Sequence, residues 1–352
     1  MLAGAPTYCA TTGTPLQTPV VEGGSFGFSV ATDAVGSTIA VGQPDAEEGR
    51  GLMYAYNQVA LCAYQSYDLP IPSQTEIAAA SGVSPASVPP PGMVGMMSAL
   101  SRDGRWLAVA GNLEADNTMA QVYVYRRQSN DSTGGFIFHQ KLTLQPAPTA
   151  DGAAAPGKVY AGSLSISRDG RLLLVSWSVY GQGLDGESDD PYGPPSESVQ
   201  GSAQLYRRNE AGRYSRAQAD LSRLSPQYSK TQYFGANSYV VGDGAVIGIS
   251  TRVIDKSRPS SGAPAIVIFR RTSTGAFELL TTLKTPGSDG TFVMTESGSH
   301  LAVVRGSDVH LYVREGDLST GKTVYNKRCT LVGEDMNLEP SEWRRCGGVG
   351  GL

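Results

Sequence analysis

The sequence has no excess of positive charge: 28 Lys and Arg stand against 32 Asp and Glu, for a net charge of −4. A surface that neutralises phosphates needs that excess, so nucleic acid is excluded as the main partner. Charged residues of both signs reach only 17%, too few for a helical bundle rich in Glu, Lys and Leu. No run of 18 apolar residues occurs, so no helical membrane span is expected. Met1 to Pro6 has neither a charged leader nor a long apolar stretch, which predicts a cytosolic chain or a mature form. The abundance of Ser, Thr, Gly and Tyr beside scarce Lys favours the mature, secreted form. Histidine is limited to three copies, His139, His300 and His310. None stands in a context that suggests a Ser-His-Asp or Cys-His set. No glycine-rich phosphate loop opens a helix. The expectation is a non-enzymatic chain with no cofactor and no metal.

What the sequence does have is glycine and proline. Gly (43) and Pro (21) make up 18% of the 352 residues, against roughly 12% in an average protein. They punctuate a repeat. Residues 26–43 read FGFSVATDAVGSTIAVGQ, 94–111 VGMMSALSRDGRWLAVAG, 160–177 YAGSLSISRDGRLLLVSW, 234–250 FGANSYVVGDGAVIGIS and 291–304 TFVMTESGSHLAVV. Each is an apolar strand, a tight Asp/Gly or Ser/Gly turn and a second apolar strand, the signature of a hairpin. A third strand follows after a loop of variable length: LMYAYNQ, QVYVYRR, AQLYRR, AIVIFRR and VHLYVRE. Apolar and aromatic residues alternate along it with period two. A short turn then leads to a fourth strand. The repeats recur at intervals of 68, 66, 74 and 54 residues.

A four-stranded unit cannot bury both faces alone, whereas stacked units cover one another. The predicted fold is therefore all-β, a β-propeller of four-stranded antiparallel blades with five full repeats and a partial one, closing as six or seven blades. The expected blades are 26–92, 93–159, 160–232, 233–287 and 288–332. Residues 1–25 form a partial N-terminal blade, and 333–352 a tail that closes the ring or is exchanged between subunits. The Pro/Ala/Ser-rich segments 70–92 and 145–158 read as extended surface connections.

The repeats resemble the FG-GAP repeat of integrin-α-like propellers. Phe26-Gly27 and Phe234-Gly235 supply the FG, Gly42-Gln43-Pro44 resembles the GAP, and Leu2-Ala3-Gly4-Ala5-Pro6 matches it more closely. The resemblance implies a propeller used for extracellular recognition or adhesion. Many such repeats carry a calcium loop rich in Asp in the first turn. Here the turns read TDAVGS, SRDGR, SRDGR, GDGA and ESGS, with one acidic residue each. Calcium needs several oxygen ligands from one loop, so calcium binding is not expected.

Acidic residues gather instead in the long loops: Asp45, Glu47 and Glu48; Glu114 and Asp116; and Asp185, Glu187, Asp189 and Asp190. The last group is the candidate partner-binding face. Arg pairs 126/127, 207/208 and 270/271 end three of the third strands; they read either as caps on sheet edges or as a surface for an acidic polymer. Asn130 heads a glycosylation sequon in a turn. Cys9, Cys62, Cys329 and Cys346 are an even number with no CxxC among them, so zinc is disfavoured and disulfides are expected. Cys9–Cys62 with Cys329–Cys346 is the preferred pairing, and Cys9–Cys346 the alternative. The functional expectation is an extracellular or cell-surface module recognising protein or glycan. A structural subunit of a filament or surface assembly, self-associating by strand or tail exchange, is the alternative, with a propeller hydrolase or lyase behind it.

Overall fold

In a computed structural model the described residues are 25–60, 63–82, 84–87, 91–113, 120–128, 134–144, 158–180, 201–217, 221–224, 234–255, 258–285 and 291–331. Their local structure begins at the hairpin turn. Gly36, Gly104, Gly170, Gly244 and Gly298 all have φ between 62° and 84°, the left-handed conformation that glycine adopts without a Cβ penalty. At each, the N–H donates to the carbonyl three residues earlier, as Gly104 does to Ser101 at 2.8 Å and Gly298 to Thr295 at 2.8 Å.

These hairpins open five sheets. The first holds β1 (Ser29–Thr32), β2 (Thr38–Gln43), β3 (Leu52–Ala60) and β4 (Ala63–Asp68). The second holds β5 (Pro91–Leu100), β6 (Trp106–Leu113), β7 (Ala120–Arg127) and β8 (Phe136–Thr143). The third holds β9 (Lys158–Ile166), β10 (Leu172–Tyr180), β11 (Ser202–Arg208) and β12 (Tyr214–Arg216). The fourth holds β13 (Ser238–Val241), β14 (Val246–Asp255), β15 (Arg258–Arg271) and β16 (Phe277–Lys284). The fifth holds β17 (Phe292–Met294), β18 (His300–Arg305), β19 (Asp308–Asp317) and β20 (Lys322–Leu331). Every sheet is a meander, each strand bonded to its neighbours in sequence. The fold class is that of a β-propeller, built from four-stranded antiparallel blades.

The chain divides into two compact units, Met1–Glu114 with Tyr123–Lys141, and Ala115–Val122 with Leu142–Leu352. In the first, sheets one and two pack through Ala40, Met53, Ala55, Val94, Leu107, Val109, Tyr123 and Tyr125, all buried. In the second, sheets three and four meet through Leu174, Leu205, Phe234, Ile247, Ile249 and Phe269. Sheets four and five meet through Ile266, Ile268, Phe292, Leu301, Val303 and Tyr312. Each buried Val, Leu, Ile, Met or Phe among them contributes about 1.5–3 kcal/mol by leaving water.

The Phe-Gly pair has a physical reason. Phe234 is fully buried in the core between sheets three and four, while Gly235 at φ 90° lays its backbone on sheet three. A Cβ on Gly201 would stand 1.9 Å from the Phe234 carbonyl oxygen, and one on Gly235 would stand 2.8 Å from the Ser176 Cβ. The Ser176 hydroxyl donates to the Gly235 carbonyl at 2.5 Å. In the first unit, Gly42 and Gly95 approach the same way: a Cβ on Gly42 would lie 2.1 Å from the Gly95 oxygen, which also accepts from Ser29 at 2.8 Å.

Two expectations need correction. Segment 70–92 is not wholly an extended connection, because Gln74–Ser81 forms a helix, α2 once Ala46–Gly49 is counted as α1. Ser73 and Glu76 close a capping box at its start, and Ile77 and Ala78 bury in the core of the first unit. The fourth strand of the third repeat spans only Tyr214–Arg216, and Leu221–Leu224 turns as a 3-10 helix. Strands β5 and β9 start at Pro91 and Lys158. At β5 a register shift between Gly92 and Met97 lets the strand run on beside β6.

Candidate functional site

In three of the hairpin turns the acidic residue is held by the turn itself. The Asp169 carboxylate accepts from the Ser167 hydroxyl and the Arg171 N–H, both at 2.9 Å. Asp103 does the same with Ser101 at 2.5 Å and Arg105 at 3.1 Å. Asp33 accepts from the Ser37 N–H at 2.8 Å and from its hydroxyl. These carboxylates shape turns.

The arginines that end the third strands hold those turns from the side. Arg127 donates from Nε to the Gly104 carbonyl at 2.8 Å. Arg208 donates to the carbonyls of Gly170 and Asp169, each at 3.0 Å. Arg314, at the same register in sheet five, donates to Ser297 at 3.1 Å. The first aromatic residue of the fourth strand completes the lock. The hydroxyls of Tyr64, Tyr214 and Tyr325 donate to the carbonyls of Gly36, Gly170 and Gly298. In sheet two the ring of Phe136 takes that place, with the Arg127 guanidinium 4.7 Å above it. In the second unit the first arginine of each pair reaches the next sheet. Arg207 donates to Gly275 at 2.8 Å, and Arg270 donates to Leu318 while pairing with Glu278 at 2.5 Å. So the arginine pairs are structural staples first, and most of their acceptors are backbone carbonyls.

One seam departs from this economy. In the first unit Arg127 is buried, and it also donates to Thr38 at 2.5 Å, Asn57 at 3.3 Å and Gly134 at 2.9 Å. Thr38 and Asn57 are register partners on β2 and β3. At the same register in sheet three stand Leu172 and Arg207. Leucine offers no acceptor and arginine repels a second guanidinium. Arg271, the counterpart of Arg127, accordingly stays exposed and makes only a 3.5 Å contact with the Asp243 carbonyl.

The result is a cleft of about 670 Å3 lined by Asp169, Arg171, Leu172, Arg207, Arg208, Asn209, Glu210, Asp243 and Arg271. It lies where the first–second and third–fourth strand turns of sheets three and four gather. Arg171 is 75% exposed and pairs loosely with Asp169 at 3.3 Å. Asp243 also borders a second hollow of about 490 Å3 beside Arg168 and Glu296, which form an ion pair at 3.1 Å. The cleft thus presents four guanidinium groups and three carboxylates, above a Gly170 turn held by Arg208 and Tyr214.

The candidate partner face Asp185, Glu187, Asp189 and Asp190 lies outside the described residues, as do Glu114, Asp116, Asn130, Cys9, Cys62 and Cys346. Asp45 caps no site; it accepts from Ser25 at 2.7 Å at the start of α1, which contains Glu47 and Glu48. Cys329 is disulfide-bonded, to a residue outside those described. Sequence reasoning found Arg207, Arg208 and Arg271 but missed Arg171, Glu210 and Asp243. Their only signal is their place beside turn glycines.

No family model matches the sequence, and no curated protein matches it. Solved structures are similar at low identity. A functionally unknown protein from Desulfotomaculum acetoxidans is 11% identical, with a TM-score of 0.48 over 86% of this chain and 69% of its own. A provisionally named 6-phosphogluconolactonase from Bacteroides uniformis is 12% identical, with a TM-score of 0.42 over 87% and 85%. TolB from Acinetobacter baumannii is 14% identical, with a TM-score of 0.38 over 85% of this chain and 53% of its own. None of these likenesses bears on the chemistry of the cleft.

Proposed function

We propose that this protein is a non-enzymatic recognition module of the cell surface or extracellular space, binding a protein or glycan partner at the arginine-lined cleft. The observation that carries the reading is the exchange of Thr38 and Asn57 for Leu172 and Arg207 at one register. It leaves Arg207 and Arg271 together at the wall of an open cleft, where an anionic group from a partner would relieve their repulsion. The locked Gly170 turn beneath the cleft supports the reading as well, since a preorganised surface loses little freedom on binding. The test is binding of the intact protein to arrays of peptides and glycans, comparing wild type with Arg207→Ala/Arg271→Ala. The expected result is a ligand set lost in the variant. A ligand set unchanged by the variant would remove the cleft from recognition.

A second reading, a structural subunit that self-associates, is favoured by one observation. Where the chain enters β1, Phe28 and Val30 are 54% and 61% exposed while Ser29 between them is buried, the reverse of the usual strand pattern. Light scattering across concentration separates the two readings: a monomer throughout removes the second.

A further inference from the structure

We infer that the cleft selects a carboxylate accompanied by a neighbouring cation, that is, a mixed-charge segment of a protein partner, and rejects dense polyanions. The inference rests on the recognition reading above and names its ligand. Three features carry it.

The first is the donor set. Arg208 is spent on the carbonyls of Asp169 and Gly170 and forms a fixed wall. Arg207 is pinned by one nitrogen on the Gly275 carbonyl, which orients its remaining N–H groups without using them. Arg271 contributes little to its own turn and stands exposed beside it. A planar guanidinium fork matches the two oxygens of a carboxylate.

The second is the acid set. Glu210 is exposed at the turn after β11. Asp243 accepts the Ala245 N–H at 3.1 Å on one oxygen, which leaves the other for a cation. Asp169 stands beside Arg171 at 3.3 Å. Four cations and three anions line the cleft, so a ligand carrying charge of one sign along its length meets groups of its own sign as well as of the opposite one. A polysulfated glycan or a run of glutamates would bring its second and third anions against these carboxylates. A segment with acid and base in succession satisfies both sets, and like-charge juxtaposition is the main source of discrimination at such surfaces.

The third is continuity. Asp243 lies on the wall of both the main cleft and the hollow formed by Arg168, Thr295, Glu296 and Ser297. Charge of both signs therefore continues along the turns of sheets three to five, giving an extended peptide more than one pair to engage.

The experiment uses the intact chain and three immobilised probes of equal length: an alternating Glu–Lys peptide, a polyglutamate peptide and a heparin-derived oligosaccharide. The alternating peptide is expected to bind tightest. Arg271→Ala is expected to weaken it about tenfold, and Glu210→Lys/Asp243→Lys to invert the preference toward polyglutamate. Tighter binding of polyglutamate or heparin by the wild type would overturn this inference and leave the recognition reading standing. Binding of the alternating peptide that ignores all three substitutions would overturn both. Arg271 and Glu210 are exposed, so circular dichroism of each variant is expected to match the wild type.

Discussion

Arg127 donates from Nε to the carbonyl oxygen of Gly104 at 2.8 Å, tying the end of the third strand to the glycine of the first turn in the same sheet. The same two positions meet in sheet three as Arg208 and Gly170. In both, a turn carbonyl that strand pairing leaves without a partner gains a charged donor. A repeat motif that reads as an edge ornament is thus a clamp across a four-stranded sheet.

Arg127→Ala is expected to be strongly destabilising. It strips donors from Gly104, Gly134, Thr38 and Asn57 and removes the cation above Phe136. Buried acceptors left without donors cost about 1–3 kcal/mol each, and partial relaxation holds the total near 3–4 kcal/mol. Urea unfolding of the first unit measures it. Arg127→Lys is expected to recover less than half, because an ammonium cannot span the fork of acceptors.

Reciprocal exchange at the divergent seam gives a sharper contrast. Asn57→Arg places a second guanidinium beside buried Arg127 and is expected to cost about 3 kcal/mol or more. Arg207→Asn removes the cation that faces Arg271 and is expected to change stability by less than about 1 kcal/mol. Thermal melts of both variants check this. Equal effects would show that the two seams are not counterparts.

The close glycines predict a graded pair. Gly201→Ala drives a Cβ to within 1.9 Å of the Phe234 oxygen, which forces sheets three and four apart and is expected to abolish the cooperative transition of the second unit. At Gly27 a Cβ meets nothing within 4 Å, and only its φ of 86° opposes alanine, a cost of about 1–2 kcal/mol. Differential scanning calorimetry separates the two outcomes.

His310 predicts an acid limit. It is buried on β19, and burial first, then Lys327 and Arg305, hold its imidazole below the ordinary value, with Asp308 opposing weakly. The unfolded chain binds that proton near pH 6.5, before the folded one does. Stability is therefore full above about pH 6.5 and falls as pH drops toward the folded value. His310→Gln is expected to flatten that part of the profile, read as the urea midpoint between neutral pH and pH 5. An unchanged slope would assign the acid limit to other groups.

Cys329 is disulfide-bonded, and the expected partner is Cys346. Peptide mapping without reductant checks the assignment. A cross-linked peptide joining Cys329 to Cys9 or Cys62 would replace it.

Much of the fold was legible because its rules are local. Turn glycines, period-two strands and the recurring aromatic third strand follow from sterics and amphipathicity within about ten residues. The helix at Gln74–Ser81 was legible too, through Ser73 and Glu76, but the surrounding prolines masked the signal. The tyrosines that cap turn carbonyls were not legible: each reaches a glycine 27 to 44 residues away, as Tyr325 does to Gly298 and Tyr214 to Gly170. Nothing in a fourth strand marks its first aromatic as a donor until the sheet is folded.

By itself the sequence determined the repeat unit, its four strands and the glycines its turns require, since those depend on φ, on pleat and on neighbours in the chain. Only the tertiary structure decided that Arg127 is sealed and Arg271 open. Arg127 meets Thr38, 89 residues away, whereas at the register of Thr38 and Asn57 sheet three sets Leu172 and Arg207. The two arginines end near-identical strands, and their fates diverge because the acceptor that buries a guanidinium must come from a different sheet.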